Sequence, residues 1–238
     1  MSTRFDHVFI ITYGRSGSTL LMGLLNSIDG YVIRGENSNL LVALFRSVQR
    51  IWHAKHHHGG DQANNPTDPW WGVNELNVPK YLKDLATLID TQLIGNIKEK
   101  PRVLGFKEIR YPWLCDEKML SKYLTFIKRT FPNCAFLFNF RDLNQVFRSG
   151  WWMEMGDDQK SRTKDLFAQF EVESRHYAAD NPSFCFEINY SDVANITKRV
   201  ELLFEFLGEP FDREKVEQTI ATPHSFNNRT PNPKADIS

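Results

Sequence analysis

Five short apolar runs, each suited to a buried β-strand, constrain the fold of this chain more than any other feature. They lie at residues 7–12, 30–33, 102–107, 134–140 and 184–190. Between and after them, apolar residues recur at helical spacing in segments 18–28, 39–52, 119–131 and 199–207. Strands that alternate with helices predict an α/β domain with a mainly parallel central sheet. Because no internal repeat or interdomain linker interrupts this pattern, we expect one domain over residues 1–238.

Charge and cysteine content exclude several classes of protein. The 29 Lys and Arg balance the 29 Asp and Glu, so no basic surface for nucleic acid is expected and any anion site must be local. The longest wholly apolar run, 40–45, is far shorter than the roughly 18 residues that span a bilayer, and the N-terminus lacks a secretory core. Three cysteines without a close pair argue against a disulfide framework or a four-cysteine zinc site. We therefore expect a cytoplasmic protein without a membrane span.

Polar residues follow four of the predicted strands. The turn 14–18 follows the first strand, Glu36 the second, Lys107 ends the third and Arg141 follows the fourth. Because the carboxyl ends of parallel strands share one edge of a sheet, we expect these residues to surround one crevice.

The first of these turns has the features of a phosphate-binding loop. A strand, a glycine-bearing turn and a helix start would aim free backbone N–H groups and the positive end of a helix dipole at an anion. Gly14 and Gly17 allow close approach, and further donors come from Arg15, Ser16, Ser18 and Thr19. The nucleotide-hydrolase loop carries a Lys before its Ser or Thr, where this chain has Gly17, so ATP with magnesium is disfavoured. A solvated turn between strand and helix is the alternative.

Three motifs resemble those of one enzyme family. Residues 13–21, Tyr-Gly-Arg-Ser-Gly-Ser-Thr-Leu-Leu, resemble the 5′-phosphosulfate loop of the sulfotransferases that use 3′-phosphoadenosine 5′-phosphosulfate (PAPS). Arg141, a strand-terminal Arg followed eight residues later by Ser149, resembles the 3′-phosphate element of that family. Residues 189–193 and 203–211 resemble its late segment, in which Tyr-Glu-Asp-Leu precedes a helix ending in Phe-Leu-Gly. The motifs occur in the order of the family and cover most of the chain.

The resemblance implies a three-layer sulfotransferase fold of the P-loop NTPase-like type, with PAPS as co-substrate, adenosine 3′,5′-bisphosphate as product and no metal. The loop 14–19 would bind the 5′ side of the nucleotide. Arg141 and Ser149 would hold the 3′-phosphate, for which an Arg fork and a hydroxyl are fitting partners. A salt bridge to Asp142, or a surface charge at the start of a helix, is the alternative role for Arg141. Arg229, in the C-terminal tail, is expected to close over the 3′-phosphate.

The resemblance also points to catalytic residues. Sulfuryl transfer needs a base for the acceptor hydroxyl and cations for the departing phosphate oxygen. Glu36 follows Gly35 as in the Gly-Glu segment of tyrosylprotein and some bacterial sulfotransferases, and is expected to be the base. Its alternative role is to favour the dipole of the helix that follows. Lys107 resembles the strand-terminal Lys that steadies the sulfonate and leaving oxygen, a role that Arg15 would share.

The roles of Glu108 and Arg110 stay open between ordering Lys107 and contacting the acceptor. The segment 53–78 is expected to be an irregular insertion. Four of its residues, His53, His56, His57 and His58, are expected to lie in a mobile or acceptor-facing loop rather than to bind metal. For the pairs Trp70–Trp71 and Trp151–Trp152, at least one ring of each is expected to be a core anchor, and the other could stack on an acceptor.

The sequence thus predicts a transferase that moves a sulfonate group from PAPS to a hydroxyl of a carbohydrate or small polar metabolite. Two alternatives remain. One is a P-loop kinase acting on a small molecule, and the other is a catalytically silent nucleotide-binding scaffold on the same fold.

Overall fold

The computed structural model of the chain describes residues 3–94 and 100–222. At its centre is a sheet of five parallel strands in the order β2-β3-β1-β4-β5. The strands are β1 (His7–Ile11), β2 (Tyr31–Arg34), β3 (Val103–Glu108), β4 (Cys134–Phe140) and β5 (Cys185–Asn189). Each lies within one residue of its predicted bounds, and the predicted α/β fold with a parallel sheet is confirmed.

Helices connect the strands and extend beyond the last one. They are α1 (Ser18–Asn26), α2 (Leu40–His58), α3 (Val78–Ile94), α4 (Pro112–Asp116), α5 (Leu120–Thr130), α6 (Leu143–Val146), α7 (Asp157–Asp180), α8 (Tyr190–Ala194), α9 (Lys198–Leu207) and α10 (Arg213–Ala221). Short 3₁₀ turns lie at Asp61–Ala63, Val73–Glu75 and Gly150–Glu154.

Both faces of the sheet are buried, which explains why its strands are nearly continuous apolar runs. On β1, Phe9 and Ile11 point into a core that includes residues of α2, α3, α5 and α7. Val8 and Ile10, which alternate with them, point into a second core with α1, α9 and α10. The sheet is therefore the middle of three layers, as predicted. No helix in the described part of the chain is long and apolar enough to cross a membrane.

The prediction of an irregular segment over residues 53–78 was wrong for residues 53–58, whereas residues 59–77 contain only two short 3₁₀ turns. Helix α2 continues to His58, so the four clustered histidines form its last turns and not a loop. Basic side chains complement the negative end of the helix dipole there, and the N–H of Gly59 bonds Lys55 O at 3.2 Å to close the final turn. The structure also contains α3 and α7, for which the sequence pattern gave no prediction.

Candidate active site

The turn after β1 is tied to β4 and leaves the start of α1 uncapped. Thr12 Oγ1 lies 2.6 Å from Asn139 O and 2.7 Å from Ser16 Oγ, which are hydrogen-bond distances. Gly17 is the N-cap of α1 with φ 81°, and among the described residues no side chain caps this end of the helix. The first-turn N–H groups therefore face outward at the carboxyl edge of the sheet, as an anion site requires.

A close contact with a neighbouring side chain also requires glycine at position 17. A Cβ added at this position would lie 2.1 Å from Cδ2 of Tyr190, the first residue of α8. Because that distance is far below van der Waals contact and φ is positive, only glycine fits. A Lys, which the nucleotide-hydrolase loop carries at this position, has no room here.

Arg15 is held in an unusual conformation within the same turn. Its φ is 69°, which is uncommon for a residue other than glycine. Its guanidinium lies over the ring of Trp151, with Cζ 5.6 Å from the ring centroid, and Gly150 leaves room for it. Its Nε is buried and has no hydrogen-bond partner among the described residues. A strained residue with an orphan donor at an anion-binding turn fits donation to a bound ligand.

Lys107 and Glu36 form an ion pair, so the structure joins two predicted catalytic residues. Lys107 is buried on β3, whereas Glu36, in the loop after β2, keeps 41% of its side chain exposed. The ion pair thus leaves part of the Glu36 side chain open to solvent. A carboxylate in this position can accept a proton from an incoming hydroxyl.

Arg141 is fixed between the first turn and α8. Its Nη1 donates to Arg15 O at 3.2 Å, and its guanidinium lies over the ring of Tyr190, with Cζ 4.3 Å from the centroid. The alternative salt bridge to Asp142 is not formed among the described residues, and the Asp142 carboxylate instead accepts from the N–H of Gln145 at 2.9 Å and caps α6. The Arg141 side chain therefore lies beside the turn that carries Arg15.

Ser149 and Arg229 are less closely tied to this group. Ser149 precedes the 3₁₀ turn Gly150–Glu154, and its hydroxyl donates to Val146 O at 2.9 Å rather than to another predicted site residue. Arg229 lies outside the described residues. The structure therefore brings together Arg15, Glu36, Lys107 and Arg141 at one edge of the sheet and places Ser149 at the start of the segment that carries Trp151.

Tyr13 links the site to α7, a connection that the sequence did not reveal. Its hydroxyl donates to Glu171 Oε1 at 2.5 Å and accepts from the backbone N–H of Arg141 at 2.9 Å. Burial, together with the negative charge of Glu171, raises the pKa of Tyr13 well above its usual value, so the hydroxyl stays protonated. Tyr13 lies within the motif 13–21, but its partner comes from a helix that the pattern did not predict.

The tryptophan pairs behave differently from each other. Trp152 is buried and its Nε1 donates to Gly14 O at 3.3 Å, whereas Trp151 is 51% exposed beside Gly14. The prediction of one core ring is confirmed for this pair. For Trp70 and Trp71 it was wrong, since both are exposed. Trp70 stacks instead on His58, the last residue of α2, with ring centroids 3.7 Å apart.

Across residues 3–94 and 100–222, no three or more His, Cys, Asp or Glu side chains are grouped so that they could hold a metal ion. The arrangement at the sheet edge consists instead of an uncapped helix, cations and one exposed carboxylate, which together can bind a polyanion and accept a proton.

Comparisons with known proteins found a matching family model and similar solved structures. A protein-family model described as "Sulfotransferase family" matches residues 7–213. The sulfotransferase domain from the olefin synthase of Synechococcus PCC 7002 is similar in structure, with a TM-score of 0.58 and 17% identity over 91% of this chain and 78% of that one. The sulfotransferase domain from the curacin biosynthetic pathway has a TM-score of 0.55, also with 17% identity and the same coverage. These similarities show the fold. No curated protein matches the sequence.

Proposed function

The chain belongs to the sulfotransferase family, and from that premise we propose that it transfers a sulfonate group from PAPS to a hydroxyl of an acceptor. The observation that carries the proposal is the ion pair of buried Lys107 with exposed Glu36, at the same sheet edge as the uncapped start of α1. A base, a cation and an anion-binding turn are the three groups that this transfer needs.

In the proposed complex, the turn 14–19 binds the 5′-phosphosulfate. Its support is the uncapped N-terminus of α1, the tight approach at Gly17 and the orphan Nε of Arg15. Arg141 holds the 3′-phosphate with the help of Ser149, and Arg229 is proposed to close over that phosphate from the C-terminal tail. PAPS supplies the sulfonate and, after transfer, leaves as adenosine 3′,5′-bisphosphate.

The protein residues then divide the chemistry between them. Glu36 takes the proton from the acceptor hydroxyl as its oxygen forms a bond to sulfur. The bond between sulfur and the phosphate oxygen breaks, and both electrons stay on that oxygen. Lys107 and Arg15 stabilise the charge that develops there, which is the role of preorganised cations in group transfer.

We propose a carbohydrate or small polar metabolite as the acceptor. The ring of Trp151 lies beside Gly14 of the proposed binding turn. Arg15 lies over the ring, which is still half exposed and offers apolar surface for contact with a sugar or an aromatic group.

The experiment is a transfer assay with ³⁵S-labelled PAPS and a metabolite extract, with products identified by mass spectrometry. We expect Glu36→Gln to lower the transfer rate at least tenfold, because the amide cannot accept the proton. Its affinity for adenosine 3′,5′-bisphosphate should remain nearly unchanged. Glu75→Gln is the matched control, since Glu75 is an exposed carboxylate in a 3₁₀ turn outside the site.

Two results would contradict the proposal in different ways. If Glu36→Gln transfers sulfonate as fast as the unmodified protein, another group is the base. If the unmodified protein binds the nucleotide but transfers nothing to any component of the extract, the silent scaffold becomes the better description.

A further inference from the structure

The carboxylate of Glu108, at the end of β3, is buried, and its hydrogen-bond donors among the described residues are all backbone N–H groups. The residue is 2% exposed. Its Oε2 accepts the N–H of Asn37 at 3.3 Å and that of Asn39 at 3.0 Å, and its Oε1 accepts the N–H of Ile109 at 2.7 Å. A buried charge is costly unless hydrogen bonds satisfy it, and these three donors do so. No cation in the described part of the chain forms an ion pair with Glu108.

The segment that Glu108 holds is strained. Ser38 and Asn39, between β2 and α2, have φ of 57° and 62°. Such conformations are uncommon for residues other than glycine and persist where surrounding contacts enforce them. Asn39 is also the N-cap of α2, and its side chain makes no capping bond. The carboxylate of Glu108 therefore supplies the hydrogen bonds that keep this backbone in place.

This segment directly follows Glu36, and Glu108 directly follows Lys107. Consecutive side chains of a strand point to opposite faces of the sheet, so Lys107 and Glu108 of β3 make different contacts with the loop between β2 and α2. Lys107 pairs with the carboxylate of Glu36, while Glu108 holds the backbone next to it. We infer that Glu108 is a positioning residue, which keeps the Glu36 carboxylate at the point of attack by fixing the backbone of residues 37–39. The inference rests on the proposed function, in which Glu36 is the base.

The hydrogen bonds from the backbone to Glu108 matter because Lys107 does more than pair with Glu36. In the proposed reaction its ammonium stabilises the leaving phosphate oxygen, so the ion pair with Glu36 is shared or lost as charge develops. The bonds from Glu108 involve no reacting atom and stay in place throughout. A displacement of about 1 Å at a reacting group can cost on the order of 10²-fold in rate, so this support affects turnover directly.

The test combines Glu108→Gln with Glu36→Gln in a double-mutant cycle. Rates of ³⁵S-sulfonate transfer to the metabolite extract are measured for the single and double variants. We expect Glu108→Gln to lower the rate about 10- to 100-fold, and to lower it less than about twofold further when Glu36 is already Gln. Affinity for adenosine 3′,5′-bisphosphate, measured by calorimetry, should change less than twofold.

Hydrogen exchange of the free protein gives a readout that needs no acceptor. In Glu108→Gln, the amides of Asn37 and Asn39 should exchange at least tenfold faster, while those of β4 remain protected. Should Glu108→Gln not fold, Glu108→Asp keeps the charge with a shorter reach, and we expect the same changes at a smaller size.

Each outcome decides a separate point. Equal fold-losses in the two backgrounds, with Glu36→Gln still impaired on its own, would overturn the positioning role and leave the proposed base intact. Unchanged exchange at residues 37–39 would also overturn it. If Glu36→Gln costs nothing, the proposed base fails and the positioning role fails with it.

Discussion

Replacing Arg141 by Ala tests the proposed 3′-phosphate site. The structure places this guanidinium at the carboxyl end of β4, with Nη1 bonded to Arg15 O at 3.2 Å and Nε near Gln145 Oε1 at 3.4 Å. A guanidinium has five N–H donors, so these two contacts leave enough for a bidentate bond to a phosphate.

The size of the effect follows from these contacts. A hydrogen bond to a charged group contributes about 1.5–3 kcal/mol, and the half-buried position of Arg141 favours the low end for each of two bonds. The loss of about 2–3 kcal/mol corresponds to roughly 30- to 150-fold weaker binding of adenosine 3′,5′-bisphosphate. Arg141→Lys should recover part of the loss, because it keeps the charge but not the fork.

The assay is isothermal titration calorimetry with this nucleotide, accompanied by thermal unfolding to verify that each variant is folded. Arg129→Ala is the matched control, since Arg129 is exposed at the end of α5, which leads into the opposite edge of the sheet. Its nucleotide affinity should change less than twofold. Binding to Arg141→Ala that equals binding to the unmodified protein would refute the assignment of the 3′-phosphate to this residue.

Two further predictions concern the fold around the site and the core. Gly17→Ala should lower the free energy of unfolding in urea by about 1–3 kcal/mol, because its Cβ would lie 2.1 Å from the Tyr190 ring. Gly156→Ala, with open space at its Cβ, should change it little, and equal effects of the two would contradict this reasoning. Burial raises the pKa of Cys134 and of Cys185 to about 12. At pH 8 iodoacetamide should therefore alkylate the native thiols at least ~100-fold more slowly than those of the urea-unfolded chain, and equal rates would contradict their burial. The folded state holds these protons more tightly than the unfolded chain, whose thiol pKa is about 8.5. The contribution of the two thiols to the free energy of unfolding is therefore fully present below that pH. It is lost as pH rises toward 12, so the unfolding temperature should fall between about pH 8 and pH 10.

The sequence predicted the sheet well because its strands are buried on both faces. The run 134–140 has no polar residue except Asn139, and its bounds were predicted without error. Helix α7 was missed for the opposite physical reason. Only four of its 24 residues are buried, Phe167, Phe170, Ser174 and Ala178, so its apolar pattern is too sparse to predict a helix.

The sequence indicated where the candidate site residues lie on the sheet, but not which contacts they make. The positions of Glu36, Lys107 and Arg141 follow from the ends of parallel strands, which a sequence pattern can reveal. The bonds from Glu108 to Asn37 and Asn39 connect residues about 70 positions apart in the chain. They also depend on the left-handed backbone of Ser38 and Asn39, so no local apolar pattern contains them.

A crystal structure with adenosine 3′,5′-bisphosphate bound tests the central claim most directly. We expect the 5′-phosphate on the N–H groups of residues 14–19 at the start of α1, and the 3′-phosphate on the guanidinium of Arg141 near the hydroxyl of Ser149. Density for the nucleotide at another surface, or none at saturating concentration, would contradict the proposed donor site and with it the proposed reaction.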